Sequence, residues 1–303
     1  MANSPFDLTS ETGYRAWRTA KLAAYPRSVD ELIVPLADPR QLSAAETVAI
    51  ESCCARANMA IYRSSHLPAA DKSIPRQLSL QLGLVRLEGN YLADEDGLSS
   101  ITPASDEHGV RGEFIPYTHK PINWHTDGYY NALDRRILGM TLHCVQDAES
   151  GGENALLDHE IAYLQLRDVN PDYVAALMQA DAMTIPARMD EGNVARPAQS
   201  GPVFAVDPVQ GFLTMRYTAR TRSIVWKDDA ITQAAVRTLA DILASSEYIL
   251  NARLQPGMGL LCNNVLHTRS GFSDSPGRRR LLYRGRYYDR LRFDLNSAPA
   301  RPQ

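Results

Sequence analysis

The pattern of this chain predicts a mainly β fold with flanking helices, a β-sandwich or jelly roll with the helices packed outside. Three observations lead there. Short apolar, strand-like runs recur along the chain, Gly- and Pro-containing turns separate them, and only a few stretches have helical spacing. The residues best suited to chemistry come from both halves, which favours a single domain over residues 1–303. Within it, residues 1–113 read as a helical and mixed N-terminal part with a lid loop, and residues 114–293 as the β core with a helical insert.

Residues 10–24 have helical spacing (Tyr14, Trp17, Leu22) and Pro26 closes them. Residues 30–36 suit a strand. Ser43 followed by Glu46 is a capping box opening a helix to about residue 58. A strand over 59–63 and a helix over 74–84 follow, and the polar run 88–113 is the expected lid. Residues 137–145 and 155–157 are strand-like, separated by the Gly151-Gly152 turn. Asn170-Pro171 is an N-cap with proline at the first helical position, predicting a helix to about residue 180. Residues 184–204 are punctuated by Pro and Gly with no element assigned, and 212–217 suit a strand. Asp228 and Asp229 open the clearest helix, from 230 to about 248, with acidic residues at its positive end. The Gln255-Pro256-Gly257 turn leads into an apolar strand ending near His267, and residues 279–290 are the last strand.

Net charge is −3 (32 basic against 35 acidic residues), and 44% of residues are hydrophobic, ample for a core. No long block of one sign suggests bulk nucleic-acid or membrane binding, and no apolar run approaches membrane-spanning length. Residues 1–5 begin neither a basic nor an apolar leader region, so the expectation is a cytoplasmic protein acting on a small molecule, with homo-oligomerisation left open. Cys53, Cys54, Cys144 and Cys262 lack CxxC spacing and read as reduced thiols, with one of the adjacent pair buried and the other exposed.

Chemistry concentrates in Trp124-His125-Thr126-Asp127-Gly128-Tyr129-Tyr130. On an extended segment, residues two apart project to one side, so His125 and Asp127 can aim an imidazole nitrogen and a carboxylate oxygen at one point. His267, at the end of its apolar run, is the candidate third ligand. Two histidines and one carboxylate leave three positions of a ferrous ion open for reactants. Alone, His-x-Asp would more often be a structural hydrogen bond. Its companions give it weight: Arg280 and Arg284, four residues apart on an expected strand, offer planar forks for carboxylates. Asn154, after Gly151-Gly152-Glu153, brings an amide. Of the remaining histidines, His143 suits a core-facing strand position, while His66, His108, His119 and His159 sit in polar surroundings and read as exposed.

His125-Thr126-Asp127, Gly151-Gly152-Glu153-Asn154, Pro256-Gly257 through His267-Thr268-Arg269, and Arg280 resemble the Fe(II)/2-oxoglutarate-dependent dioxygenases of the taurine dioxygenase and γ-butyrobetaine hydroxylase superfamily. The resemblance spans about residues 124–289. It implies a double-stranded β-helix core (a cupin-like jelly roll) and Fe(II) on His125, Asp127 and His267. It also implies 2-oxoglutarate anchored by Arg280, with Asn154 near the co-substrate, and O2 as the third reactant. The implied reaction decarboxylates 2-oxoglutarate to succinate and CO2 while hydroxylating, or otherwise oxidising, an unactivated C–H. Met258 departs from the acidic residue often found after Pro-Gly, and Asn154 stands where the taurine branch has threonine.

For the substrate, Tyr117, Tyr129 and Tyr130 lie near the candidate ligands, and aromatic faces can hold a cationic amine or betaine. Arg284, with Arg220 or Arg222 behind it, could take an acid group, and an amino acid fits both. The plain reading of the tyrosines is strand packing. Two other readings stay open: a zinc-type metallohydrolase, which leaves Arg280 without a role, and a non-catalytic ligand-binding barrel.

Overall fold

The computed structural model describes residues 4–64, 70–89, 93–104, 112, 114–190, 192–220 and 222–291. His66, His108, the tail from residue 292, and residues 90–92, 105–111 and 113 of the expected lid loop lie outside them. The chain divides into two compact units.

One unit comprises Pro26–Ile122, Ile137–Leu156 and Leu250–Gln303. Its main sheet has six strands in the order Ile33–Leu36, Met59–Ser64, Met258–Cys262, Gly139–Gln146, Leu281–Tyr287, Ser99–Ile101. The first pair is parallel and the rest antiparallel. The register sets Ile61, Leu260, Leu142 and Arg284 side by side in one row, and Tyr62, Gly259, His143 and Tyr283 in the next. Adjacent rows point to opposite faces of a sheet. Gly259 is required there, because a Cβ would lie 2.3 Å from the Tyr62 ring.

Helix Ala44–Ala57 starts with the expected capping box: Ser43 Oγ accepts from the Glu46 amide, and the Glu46 carboxylate accepts from the Ser43 amide. Asn58 ends it in the left-handed conformation, φ 55°. Helix Ser73–Gln81 is tied to the sheet by the 2.8 Å bond between the Ser79 and Thr141 hydroxyls. A second sheet has four strands in the order Leu250–Ala252, Asn154–Leu157, Leu266–Arg269, Ile122–His125.

The other unit comprises Met1–Tyr25, Asn123–Arg136 and Leu157–Ile249. It holds helices Glu11–Ala24, His159–Val169, Pro171–Leu177 and Ala230–Ser245. Phe6, Trp17 and Phe204 each pack edge-on against the buried Tyr163 ring at 5.4 to 6.3 Å, contacts worth about 0.5–1.5 kcal/mol apiece beyond area burial. Lys21 is buried and reaches both Asp158 and Glu160 at 2.6 Å.

Several expectations change. Residues 184–204 are not plain loop: they contribute to short antiparallel strands Met183–Ile185, Arg188–Asp190, Asn193–Arg196, Gln199–Gly201 and Phe204–Val206. His159 is buried, 1% exposed, because it opens a helix whose N-cap Asp158 accepts from the Glu160 amide, and its Nε2 lies 3.1 Å from the Leu213 carbonyl. His119 is exposed and His143 buried, as expected. Cys53 and Cys54 are both buried, since both fall on the packed side of helix Ala44–Ala57. The last strand is shorter than expected, Leu281–Tyr287, and Arg280 immediately precedes it.

Candidate metal centre

Strand Ile122–His125 ends on His125, and Asp127 follows after the wholly buried Thr126. Thr126 stiffens this step. Its amide donates to the Tyr217 carbonyl (3.0 Å), and its hydroxyl accepts from the Tyr217 amide (3.1 Å). The Ala219 amide donates to the Trp124 carbonyl at 2.8 Å. Gly128, at φ +68°, turns the chain immediately afterwards.

His267 sits on strand Leu266–Arg269 behind a tight turn built by Asn263 and Asn264. Asn264 takes the left-handed conformation at φ 49°, and its amide donates to the Ile137 carbonyl at 2.8 Å. The Asn263 amide group bonds Asn58 Oδ1 at 3.1 Å, and its oxygen accepts from the Leu291 amide at 2.9 Å. The Asn-Asn pair therefore serves the turn that delivers the histidine.

The structure brings ligand atoms of His125, Asp127 and His267 within 4.8 Å of one another. Their chemistry fits a metal ion. His125 Nδ1 lies 2.9 Å from the Asn123 carbonyl, and His267 Nδ1 lies 3.0 Å from the Val265 carbonyl. A carbonyl only accepts, so each Nδ1 carries the proton and each Nε2 presents its lone pair, the orientation second-shell bonds give a metal-binding imidazole. His125 Nε2 is 3.7 Å from Asp127 Oδ1, a distance one cation could bridge.

Around this cluster the other expected residues fall as follows. Arg280 is 5% exposed, and its guanidinium carbon lies 5.0 Å from the centre of the Phe272 ring; that of Arg269 lies 4.9 Å from the same ring. Burial holds the Arg280 guanidinium below its ordinary pKa, with Cys144, Asp274 and Asp147 opposing. Gly152 makes room for it: a Cβ there would stand 3.3 Å from Arg280 Nε, at a φ of +78°. Gly151, at φ +74°, lies so close to the Gly271 carbonyl that a Cβ would sit 2.1 Å away. Asn154 is buried and donates to the Thr268 carbonyl at 2.7 Å, so its amide braces the residue after His267. Arg284 lies half-buried in the main sheet opposite Leu142 and Ser99. Tyr117 is buried in a short 3-10 turn, Ile115–Tyr117. Tyr129 and Tyr130 form an edge-to-face pair with centroids 5.2 Å apart.

Two positioning residues go beyond the sequence reading: Arg269, which the His267-Thr268-Arg269 stretch contains without an assigned role, and Arg216, which has no local signal. Buried Arg269 donates to the carbonyls of Ile115, Pro116, Thr118 and Lys120, binding the end of the His267 strand to the segment that leads into Ile122–His125. Burial, with repulsion from Arg280, holds its pKa down at about 9. Buried Arg216 does the same after Asp127, through the Tyr129, Met183, Gly201 and Gln199 carbonyls.

Residues 21–286 match the Taurine catabolism dioxygenase TauD, TfdA family. The chain belongs to that family. Fe(II), 2-oxoglutarate and O2 are the cofactor and co-substrates of that family's dioxygenases. Among its relatives is a uridine-5'-phosphate dioxygenase of Amycolatopsis sp, 31% identical over 170 residues; the match spans 54% of this chain and 60% of that protein. The fold is the jelly roll of these oxygenases. A taurine dioxygenase from Burkholderia xenovorans superposes with a TM-score of 0.57 at 17% identity, covering 87% of this chain and 89% of its own. The non-heme iron oxygenase OrfP, solved with Fe and alpha-ketoglutaric acid, gives 0.59 at 17% identity over 90% and 89% of the two chains. The family match begins about a hundred residues before the stretch that carries the motifs. Among the described residues no helix is long and apolar enough to cross a membrane.

Proposed function

We propose that the protein oxidises an unactivated C–H bond of a small polar substrate, with His125 Nε2, the Asp127 carboxylate and His267 Nε2 holding Fe(II). The observation that carries this reading is the convergence of these three donors, with both imidazoles fixed through Nδ1. When bound, the iron couples decarboxylation of 2-oxoglutarate, giving succinate and CO2, to transfer of one oxygen atom to the substrate.

The chain's own residues supply orientation. Arg280 pairs with the far carboxylate of 2-oxoglutarate: it is a buried guanidinium with no hydrogen-bonded acceptor among the described residues, and a carboxylate is its natural bidentate partner. Asn154 acts one step back, holding the Thr268 carbonyl and with it the His267 strand. Tyr129, Tyr130, Tyr117 and Arg284 contribute to the substrate side. The amine or betaine expected from the tyrosines gives way to an anionic substrate, a nucleoside monophosphate being the lead candidate. The uridine-5'-phosphate dioxygenase relative supports this, as does the arginine content of the segments bonded to Tyr129 and Tyr130.

Residues 1–303 act as a single dioxygenase domain, a reading supported by a family match that runs through segments of both units. The protein works in the cytoplasm, where its four buried thiols stay reduced.

The test is succinate release. Purified protein given Fe(II), 2-oxoglutarate and uridine 5'-phosphate should form succinate under air and none under argon, and His125→Ala should fall at least ~1,000-fold, the scale of losing a metal's electrostatic stabilisation. Succinate formation by His125→Ala at the wild-type rate would refute the assignment.

A further inference from the structure

Several cations of the unit formed by Met1–Tyr25, Asn123–Arg136 and Leu157–Ile249 pair with carboxylates. Arg18 pairs with Asp168, Lys21 with Asp158 and Glu160, and Lys227 with Asp181. Arg196, Arg216 and Arg220 are distinguished by where they meet. Among the described residues none of them pairs with a carboxylate, and all three converge on the Tyr129-Tyr130 dipeptide.

The contacts are specific. Arg216 Nε holds the Tyr129 carbonyl at 2.7 Å and fixes the backbone. Arg220 Nη1 donates to the Tyr129 hydroxyl at 3.1 Å, so the guanidinium stands at the polar end of that ring. Arg196 lies over the neighbouring ring, its Cζ 5.9 Å from the Tyr130 centroid. Its Nη1 reaches the Pro197 carbonyl at 3.1 Å and, at 3.5 Å, that of Tyr130; its Nη2 reaches the Pro186 carbonyl at 2.7 Å. These bonds immobilise the Arg196 group without neutralising its charge. Burial, with a smaller push from Arg188, holds its pKa below the ordinary arginine value against the opposing Tyr129 and Tyr130. The two rings themselves pack edge to face, 82° apart. Positive charge fixed in this way at a dipeptide that follows Asp127 by two and three residues attracts a compact anion.

We propose that Arg196 and Arg220, set at Tyr130 and Tyr129, form a subsite for the phosphate of a phosphate-monoester substrate, with Arg216 locking the dipeptide in place. A doubly charged phosphate matches two guanidinium groups better than a single carboxylate, and each pairing is a charge-assisted hydrogen bond. Neither arginine is placed on the metal or on 2-oxoglutarate; their role is selection. The proposal rests on the oxygenase reading above for the word substrate, although binding alone tests it.

The experiment is calorimetric titration of the Fe(II)- and 2-oxoglutarate-loaded protein under argon with uridine 5'-phosphate and with uridine, at two ionic strengths. Wild type should bind the phosphate at least ~30-fold more tightly than the nucleoside, and the preference should shrink with salt, because Arg220 is exposed. The Arg196→Gln/Arg220→Gln double variant should keep its Fe(II) affinity and lose most of the preference, to within ~3-fold, with uridine affinity unmoved. A wild type without preference overturns the subsite, and so does a double variant that keeps the preference. A variant that loses uridine as well points to misfolding; Arg220→Gln alone, at an exposed position, then decides. Should it keep the full wild-type preference, the subsite is overturned; a partial loss supports it. The oxygenase reading fails on a different readout: no succinate under air, whatever the titrations give.

Discussion

Arg216 and Arg280 are both buried guanidinium groups, 6% and 5% exposed, one in each unit, and they solve the same physical problem differently. Arginine keeps its proton under almost any conditions, so a buried one needs acceptors. Arg216 finds four backbone carbonyls, between 2.7 and 3.4 Å, and burial brings its pKa down to about 10. Arg269 follows the same design. Arg280 has no acceptor bonded to its guanidinium among the described residues; its neighbours are the Phe272 ring and the more distant charges of Asp274 and Asp147. For this buried pair the difference separates structure from function: Arg216, saturated by carbonyls, braces the fold, and Arg280, left wanting an acceptor, awaits a ligand's.

The comparison breaks most visibly at Arg280. Arg280→Gln should raise the KM for 2-oxoglutarate by roughly 1,000-fold, equivalent to about 4 kcal/mol, the loss expected when a bidentate charge pair is removed. Its thermal midpoint should stay at or above that of wild type, since no bond to the protein is lost and a buried charge is. Succinate release against 2-oxoglutarate concentration, beside a melting curve, checks both. A lower midpoint with an unchanged KM would make Arg280 a brace like Arg216.

Arg216→Met should give the reverse pattern. Four buried carbonyls lose their donor, and the cost should be about 3 kcal/mol of stability, since each unsatisfied buried group costs on the order of 1 kcal/mol even after partial rehydration. Arg216→Lys, with three donors on a point charge, should recover only part of it. Urea denaturation measures the loss, and the KM for 2-oxoglutarate should move less than ~3-fold, because Arg216 bonds only backbone carbonyls. A stable Arg216→Met protein would sink the carbonyl-clamp account.

The two arginines also mark what sequence could and could not tell. Arg280 was legible because its meaning rests on spacing: a cation thirteen residues after His267, next to a strand. His125, Asp127 and His267 were legible as candidate ligands for the same reason, two of them on one extended step. Helix caps read equally well, as Ser43 with Glu46 and Asp229 before Ala230 show, since a cap is a local event. Arg216 was invisible, because its partners lie up to 87 residues away and are backbone carbonyls, which any residue supplies. The helix His159–Val169 was missed although Asp158 caps it, and with it the burial of His159: the polar residues of that run masked its packed face. The N-terminal part of the family match gave no motif because it contributes sheet and helix packing, such as strands Ile33–Leu36 and Met59–Ser64, where many apolar side chains serve.

A third buried basic group sharpens the comparison by taking the route closed to arginine. His143, 1% exposed, lies stacked between Tyr62 and Tyr283 with ring centroids 6.0 and 6.4 Å away, and its Nδ1 is 2.8 Å from the Tyr62 hydroxyl. Burial pushes its pKa down to about 4, with only Asp71 opposing, so it sheds its proton and needs no second acceptor. The Tyr62 hydroxyl, itself pushed to high pKa by burial, then donates to the bare Nδ1. The unfolded chain takes up this proton near the ordinary histidine value while the folded one does not. This contribution is therefore whole above about pH 6.5 and drains away as the pH falls toward 4. Between pH 7 and 5.5 the loss should be about 1 kcal/mol. His143→Gln keeps an acceptor for the tyrosine without the titration, so its urea midpoint should be flatter than that of wild type over this interval. Parallel pH profiles for the two proteins would mean that His143 titrates normally, and that burial in this sheet does not force a basic group to choose between an acceptor and neutrality.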